Sequence, residues 1–251
     1  MINYQLEVCV DSLESVQEAV SGGATRLELC GNLVIGGTTP GAFMYRDVKV
    51  LLAFPIPIHV LIRPRSGDFC YNEAEVRLMV KEIKQFRTEG ADGVAIGALN
   101  PDGSLNMPVM ERLCLAAGDM KISLNRAFDM CLDPFTALNQ AKELGISTIL
   151  TSGQHSSCLE GASLIKELMD KSSGKTEIMA CGGVNAKVIK EMREKIGISS
   201  FHMSGKVVTA SQMIHRNPNV QMGFGALNEY EIWKTDKGLI TQARHMLEAI
   251  D

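Results

Sequence analysis

The amino-acid sequence predicts a closed (β/α)8 TIM-type barrel with a long connection between its eighth strand and its last helix. Three observations predict it. Short β-branched and apolar runs occur eight times and alternate with helical patterns from end to end, which is the signature of repeated βα units on a parallel sheet. The stretches between them open with recognisable helix caps. Dividing 251 residues among eight units leaves roughly 31 each, as such a barrel requires, so residues 1–251 are expected to form one domain.

Taken in order, the expected strands are residues 4–10, 25–30, 57–63, 92–97, 120–126, 147–152, 176–181 and 199–203. Asp11 with Glu14, Asn72 with Glu75 and Ser157 with Glu160 each set a cap three residues before an acid. Asp133-Pro134 is a cap followed by proline at the first helical position. Val76, Met79, Val80, Ile83 and Phe86 form one apolar stripe at helical spacing, and Leu239, Ile240, Ala243, Met246, Leu247 and Ile250 form another. A doubly wound open sheet is the alternative. With a dinucleotide it would carry a glycine-rich turn after its first strand, where this chain has Val10-Asp11-Ser12. The segment from Ser204 to Lys237 is too long for an ordinary loop and is polar. It is read as a surface excursion, with residues 206–237 serving as a lid or as a contact in a homo-oligomer.

Composition narrows the function. A net charge of −4 argues against a nucleic-acid partner, because phosphate-backbone affinity comes from clustered Lys and Arg. No apolar run approaches the ~18 residues of a membrane span, and MINYQLEV has neither the basic start nor the apolar stretch of a signal peptide. The expected location is therefore the cytoplasm, without a membrane partner. Seven cysteines form no C-x-x-C pair, and an odd number cannot be fully paired within one chain, which fits reduced thiols. The 14 methionines fall mostly at apolar helix or strand positions, where Met fills gaps.

Alternation along each strand sends one set of side chains to the helices and the other to the barrel centre. Leu6, Val8 and Val10 face out, which turns Glu7 and Cys9 in; likewise Leu27 and Leu29 face out, and Glu28 and Cys30 face in. The same logic turns inward His59, Leu61 and Arg63, then Ser123 and Asn125, Met179 and Cys181, and His202 and Ser204. A centre built for stability alone would be Val, Ile and Leu. Two acids on adjacent strands stay ionised only beside a partner, expected among Arg63, Arg65 and His59. Such an arrangement is either a ligand site or an ion network that fixes strand register.

The repeated Glu-x-Cys, Glu7/Cys9 and Glu28/Cys30, is expected to bring two thiols together if the strands run in matching phase. Two thiolates without a hard ligand at their level suit Cu(I) better than zinc, which takes four ligands. The alternative is that both are small buried hydrophobes. Gly182 and Gly183 after the seventh strand and Ser204-Gly205 after the eighth stand where many barrel enzymes hold a phosphate, and Ser152-Gly153 is a candidate to join them. The rival expectation is thus an enzyme acting on a small anionic or phosphorylated metabolite, with Arg63 and Arg65 as anion anchors and Glu7 or Glu28 as general base.

Assembled, these residues resemble the copper homeostasis protein CutC family. The resemblance runs through LEVCVDSLES, GGATRLELCGNL, GGTTPG, PIHVLIRPRSGDF, EGADGVAIGALNPDG, NRAFDM, ILTSGQ, LEG and FHMSG. It implies a cytoplasmic barrel associated with copper handling, with Cu(I) held by Cys9 and Cys30. It also implies a pocket lined by Glu7, Glu28, Arg63, Arg65, Asp68, Arg126, Asp129 and His202. Three positions depart from the family pattern. Asn125 stands where the family usually has histidine, which removes an inward titratable group. Ala180 and Cys181 precede Gly182-Gly183 where a proline and three glycines are usual, so Cys181 offers a further thiol. Ser66 replaces a common glycine.

Overall fold

The computed structural model describes residues 4–52, 55–222 and 228–249. Eight parallel strands close on one another in chain order: β1 (Gln5–Val10), β2 (Arg26–Leu29), β3 (Ile58–Leu61), β4 (Gly93–Ile96), β5 (Lys121–Leu124), β6 (Thr148–Thr151), β7 (Glu177–Ala180) and β8 (Ser200–Met203). Every one lies inside its expected range. The ring closes through β8 on β1, where Glu7 is level with His202.

Eight helices surround the sheet: α1 (Leu13–Gly22), α2 (Ala42–Leu51), α3 (Glu73–Thr88), α4 (Met107–Ala117), α5 (Pro134–Glu143), α6 (Ala162–Ser172), α7 (Ala186–Ile196) and α8 (Lys237–Glu248). Asn72 and Glu75 exchange both bonds of a capping box at α3, and Asp133 caps α5 ahead of Pro134. Two expected caps are corrected. At α1 the cap is Ser12, whose side chain accepts from the Ser15 N–H, while the Asp11 carboxylate accepts from Leu33 N–H. Ser157 and Glu160 do bond reciprocally, but they close a free-standing turn; α6 begins later, after Gly161. Both local patterns satisfy backbone N–H groups, and sequence spacing alone does not say whether a helix follows directly.

Outward strand residues such as Leu6, Val8, Leu27, Leu29, Ile58 and Val60 are fully buried against Met79, Ile83 and Phe86 of α3 and Ile240, Ala243 and Leu247 of α8. Each such burial is worth about 1.5–3 kcal/mol, which is why the two stripes lie on the sheet. Val80, Leu239 and Met246 sit at the margins of these stripes, and Ile250 lies outside the described residues. The centre of the barrel is a different environment, described below.

The long connection from β8 to α8 is present, but it is not irregular throughout. Lys206–Ala210 (β9) and Glu231–Thr235 (β10) form a two-stranded antiparallel sheet. It folds back onto α1: the Thr235 N–H donates to Ser15 Oγ at 3.1 Å, and Lys234 Nζ lies 2.6 Å from Glu14. The strands escaped notice because both are largely exposed, so no buried face alternates with a polar one.

Candidate functional site at the barrel mouth

Strand alternation places the expected side chains in the centre, in layers. Deepest are Glu7, Arg26, His59 and Ser123. Arg26 Nε lies 2.5 Å from Glu7 Oε2, and its Nη2 approaches Met179 Sδ at 3.5 Å. His59 Nδ1 meets Ser123 Oγ at 3.1 Å, and Gly93 leaves room for its ring, since a Cβ there would come within 2.5 Å of it. Arg26 is the partner that sequence reasoning missed. Leu27 and Leu29 facing out also required Arg26 to face in with Glu28 and Cys30.

That finding corrects the expected compensation of the acids. Arg63 spends its guanidinium on the backbone carbonyls of Gly36, Gly37 and Gly67. Arg65 pairs with Asp68 and Glu75 outside the cavity, and Asp68 is exposed. Strand β2 brings its own cation to β1, because Glu7 and Arg26 are register partners.

The phase of β1 and β2 also differs from expectation. Cys9 is level with Glu28, not with Cys30, which stands two residues further along, just past the end of β2. The stagger that closes a barrel shifts neighbouring strands along one another, so repeated motifs do not align. Even so, Cys9, Cys30, Leu61 and Ala95 pack as one buried cluster, so both thiols point inward. Cys9 Sγ donates toward Met203 O at 3.6 Å, and Cys30 Sγ toward Glu28 Oε2 at 3.4 Å. Cys181 is inward too, but packs with Leu150 and Met179 in a separate cluster.

His202 joins the layers. Its Nδ1 lies 2.7 Å from Glu7 Oε1 and its Nε2 3.9 Å from Glu28 Oε2. Burial opposes a charge on His202, yet Cys9, the hydrogen bond to Glu7 and the Glu28 carboxylate outweigh it and hold its pKa well above the usual histidine value. Burial alone would also raise Glu7, but Arg26 and His202 hold it far below the usual carboxylate range. Glu28 moves the other way: burial, aided by the charge of Glu7, raises it despite His202. Burial and Glu28 likewise push the Cys30 thiol well up, and burial lowers His59 to about 4. The two neighbouring carboxyls are therefore driven apart, Glu7 downward and Glu28 upward, the pattern that sets acid and base roles in catalytic carboxyl pairs.

Above this floor opens a cavity of about 860 Å³. Glu28, Arg63, Asn125, Arg126 and His202 line it, as do Cys9, Cys30 and Cys181 and all four glycine-loop candidates, Gly182, Gly183, Ser204 and Gly205. Glu7 and His59 lie beneath. Asp129 is not in the lining: it accepts from Thr151 Oγ1 (2.6 Å), Ser152 N–H (2.9 Å) and Arg126 Nε (2.8 Å), knitting β5 to β6. Ser152 is committed to that knot, and Ser152-Gly153 stays out of the cavity. Among the described residues, no group of three or more His, Cys, Asp and Glu is arranged to hold a metal ion.

A TIM barrel with a ligand-sized opening at the carboxyl ends of its strands, floored by charged side chains, is the class of protein that fold and site define. The chain belongs to the CutC family, whose model matches residues 4–207. The copper homeostasis protein cutC homolog of Mus musculus is 41% identical over 234 residues, 93% of this chain and 85% of that protein. A family protein CutC of Parabacteroides distasonis is 42% identical over 233 residues, covering 92% of this chain and 96% of its own length. Among solved structures, CutC from Streptococcus agalactiae matches with a TM-score of 0.77 at 28% identity, over 80% of this chain and 98% of that one. A thiamine phosphate pyrophosphorylase from Pyrococcus furiosus, at 17% identity and TM-score 0.60 over 99% and 98%, shares the barrel alone. Among the described residues, no helix is long and apolar enough to cross a membrane.

Proposed function

We propose that this CutC-family barrel handles copper in the cytoplasm by holding Cu(I) between Cys9 and Cys30. The observation that carries the reading is the single buried cluster into which both thiols turn, at the carboxyl ends of adjacent strands. A pair of sulfur donors suits a soft ion content with two ligands, and among the described residues no group of three or more His, Cys, Asp and Glu stands ready to build a four-ligand zinc site. The copper-related names of the relatives support a link to copper. Anaerobic competition for Cu(I) against bathocuproine disulfonate tests it. The wild-type protein is expected to draw copper from the chelator and the Cys9→Ser/Cys30→Ser variant to fail; equal affinity in the two overturns the reading.

A second reading rests on the cavity and on the opposed carboxyls: an enzyme that moves a proton on a small anionic ligand. Glu28, whose pKa burial raises, and His202, whose pKa Cys9 and Glu7 raise, both line the opening. In this reading Glu28 exchanges the proton with the ligand, while Glu7, itself held by Arg26, fixes the orientation of the His202 ring beside it. Proton exchange between a bound ligand and deuterated solvent, lost in Glu28→Gln, is the expected result.

A further inference from the structure

The connection between β8 and α8 carries soft donors that the barrel interior does not use. Met213, His215 and Met222 lie between β9 and β10, beyond residues 4–207 that the family model matches. Methionine ordinarily fills apolar gaps. Among the described residues three methionines are instead exposed, Met130 at 66%, Met213 at 58% and Met222 at 66%, and two of the three flank His215. His215 is exposed as well, and its ring has no hydrogen-bond partner among the described residues. A single exposed apolar residue needs no explanation, but two thioethers around a free imidazole form a donor set.

The backbone gathers these residues. Left extended, the stretch 211–222 would span about 40 Å. Its start is tied down where the Ser211 N–H donates to Tyr230 O at 2.8 Å and the Met213 N–H to Ser211 Oγ at 3.1 Å. Its middle is held by the same tyrosine: the Asn217 N–H donates to Tyr230 Oη at 2.8 Å, and the Arg216 guanidinium lies 4.0 Å from the ring centroid. At its end the Met222 N–H donates to the Glu229 carboxylate. Start, middle and end are thus pinned to two consecutive residues, Glu229 and Tyr230, as in a compact loop whose ends meet. Across such a loop an unbranched methionine with three rotatable bonds can bring its sulfur to a shared point. The Met222 N–H also holds the Glu229 carboxyl below its usual range, which adds negative charge beside the donors.

We infer that Met213, His215 and Met222 form a second metal site, outside the barrel, in which two thioethers and one imidazole take Cu(I). Thioethers select this soft ion, imidazole accepts it, and zinc is instead held by nitrogen, thiolate and oxygen donors. With no thiolate among its donors the loop site is the weaker of the two. The identity of the ion rests on the copper reading above, but neither Cys9 nor Cys30 is part of this site.

NMR of the full-length Cys9→Ser/Cys30→Ser variant, labelled at the methionine methyls and titrated anaerobically with tetrakis(acetonitrile)copper(I), tests it. The ε-methyl signals of Met213 and Met222 and the ring protons of His215 are expected to shift together and saturate, while Met130, just as exposed, stays in place. Zn(II) should leave both methyls unmoved. Adding Met213→Leu/Met222→Leu keeps the apolar surface and removes both sulfurs; it should weaken Cu(I) binding by at least about tenfold, since even outer-shell losses cost metal sites that much. Because both side chains are exposed, this variant should keep the barrel amide spectrum. Undiminished affinity in the leucine variant, equal shifts at Met130, or no methyl shifts overturns the inference, and the bathocuproine result for Cys9 and Cys30 then stands by itself. Methyls that shift as described, in a protein whose wild type holds copper against the chelator no better than the double serine variant, sink the Cys9–Cys30 reading and leave this site in place.

Discussion

His202 Nδ1 on β8 lies 2.7 Å from the Glu7 carboxylate on β1, and this bond crosses the seam where the barrel closes. The other Glu7 oxygen takes Arg26 from β2, so one buried carboxylate ties three strands. Five measurable consequences follow from this interior and its surroundings.

Arg26→Met leaves Glu7 buried beside His202 alone. Removing one partner of a buried pair costs about 3–5 kcal/mol, because the remaining charge has lost its compensation. Urea denaturation should show a loss of this size, and the double variant Arg26→Met/Glu7→Leu should lose less than Arg26→Met by itself.

His59 gives stability a pH dependence. Its folded pKa of about 4 lies below the unfolded value near 6.5, so between these values the unfolded chain binds the extra proton. Stability contributed by neutral His59 is therefore intact above pH 6.5 and is lost as pH falls through about 4, by roughly 3 kcal/mol at most. His202 has the opposite sign: its folded pKa is raised, so its contribution is full below pH 6.5 and fades as pH rises through the folded value. Denaturation curves of His59→Gln should be flatter than wild type between pH 6.5 and 4.

Asp129 binds Thr151, Ser152 and Arg126 at once from a buried position. Asp129→Ala should cost about 3 kcal/mol, since several buried donors lose their acceptor together. Hydrogen exchange at Thr151 and Ser152 should quicken before exchange in β1 does.

Gly97→Ala introduces a Cβ within 2.6 Å of the Ala127 methyl and closer still to Asn125. Overpacking of this kind costs about 1–3 kcal/mol, and relief requires Asn125 to move. A lowered melting temperature with altered Asn125 side-chain amide resonances is expected.

Thiol reactivity should rank by burial. Cys30 and Cys181 are each 1% exposed, with thiols pushed well up by burial, and burial raises the half-buried Cys114 to about 11. Cys70 is half-buried in a loop. Iodoacetamide followed by mass spectrometry should label Cys70 first, and Cys30 and Cys181 only after unfolding.

The periodicity of β-branched runs placed all eight barrel strands, since burial on both faces writes a near-continuous apolar signature. The inward set was legible for a related reason. Leu6, Val8 and Val10 facing the helices oblige Glu7 and Cys9 to face the centre. The hairpin of β9 and β10 left no such mark, because strands exposed along most of their length need not alternate.

The sequence by itself determined the barrel, the polar centre and the convergence of Cys9 and Cys30 on one end of it. Only the tertiary structure decided who pairs with whom. Arg26 rather than Arg63 neutralises Glu7, Cys9 stands level with Glu28, and Asp129 knits strands instead of lining the opening. The reason is physical: which face a side chain takes follows from alternation within its own strand, whereas its partner depends on the stagger between strands and on where loops return, and both are set by packing of the whole chain.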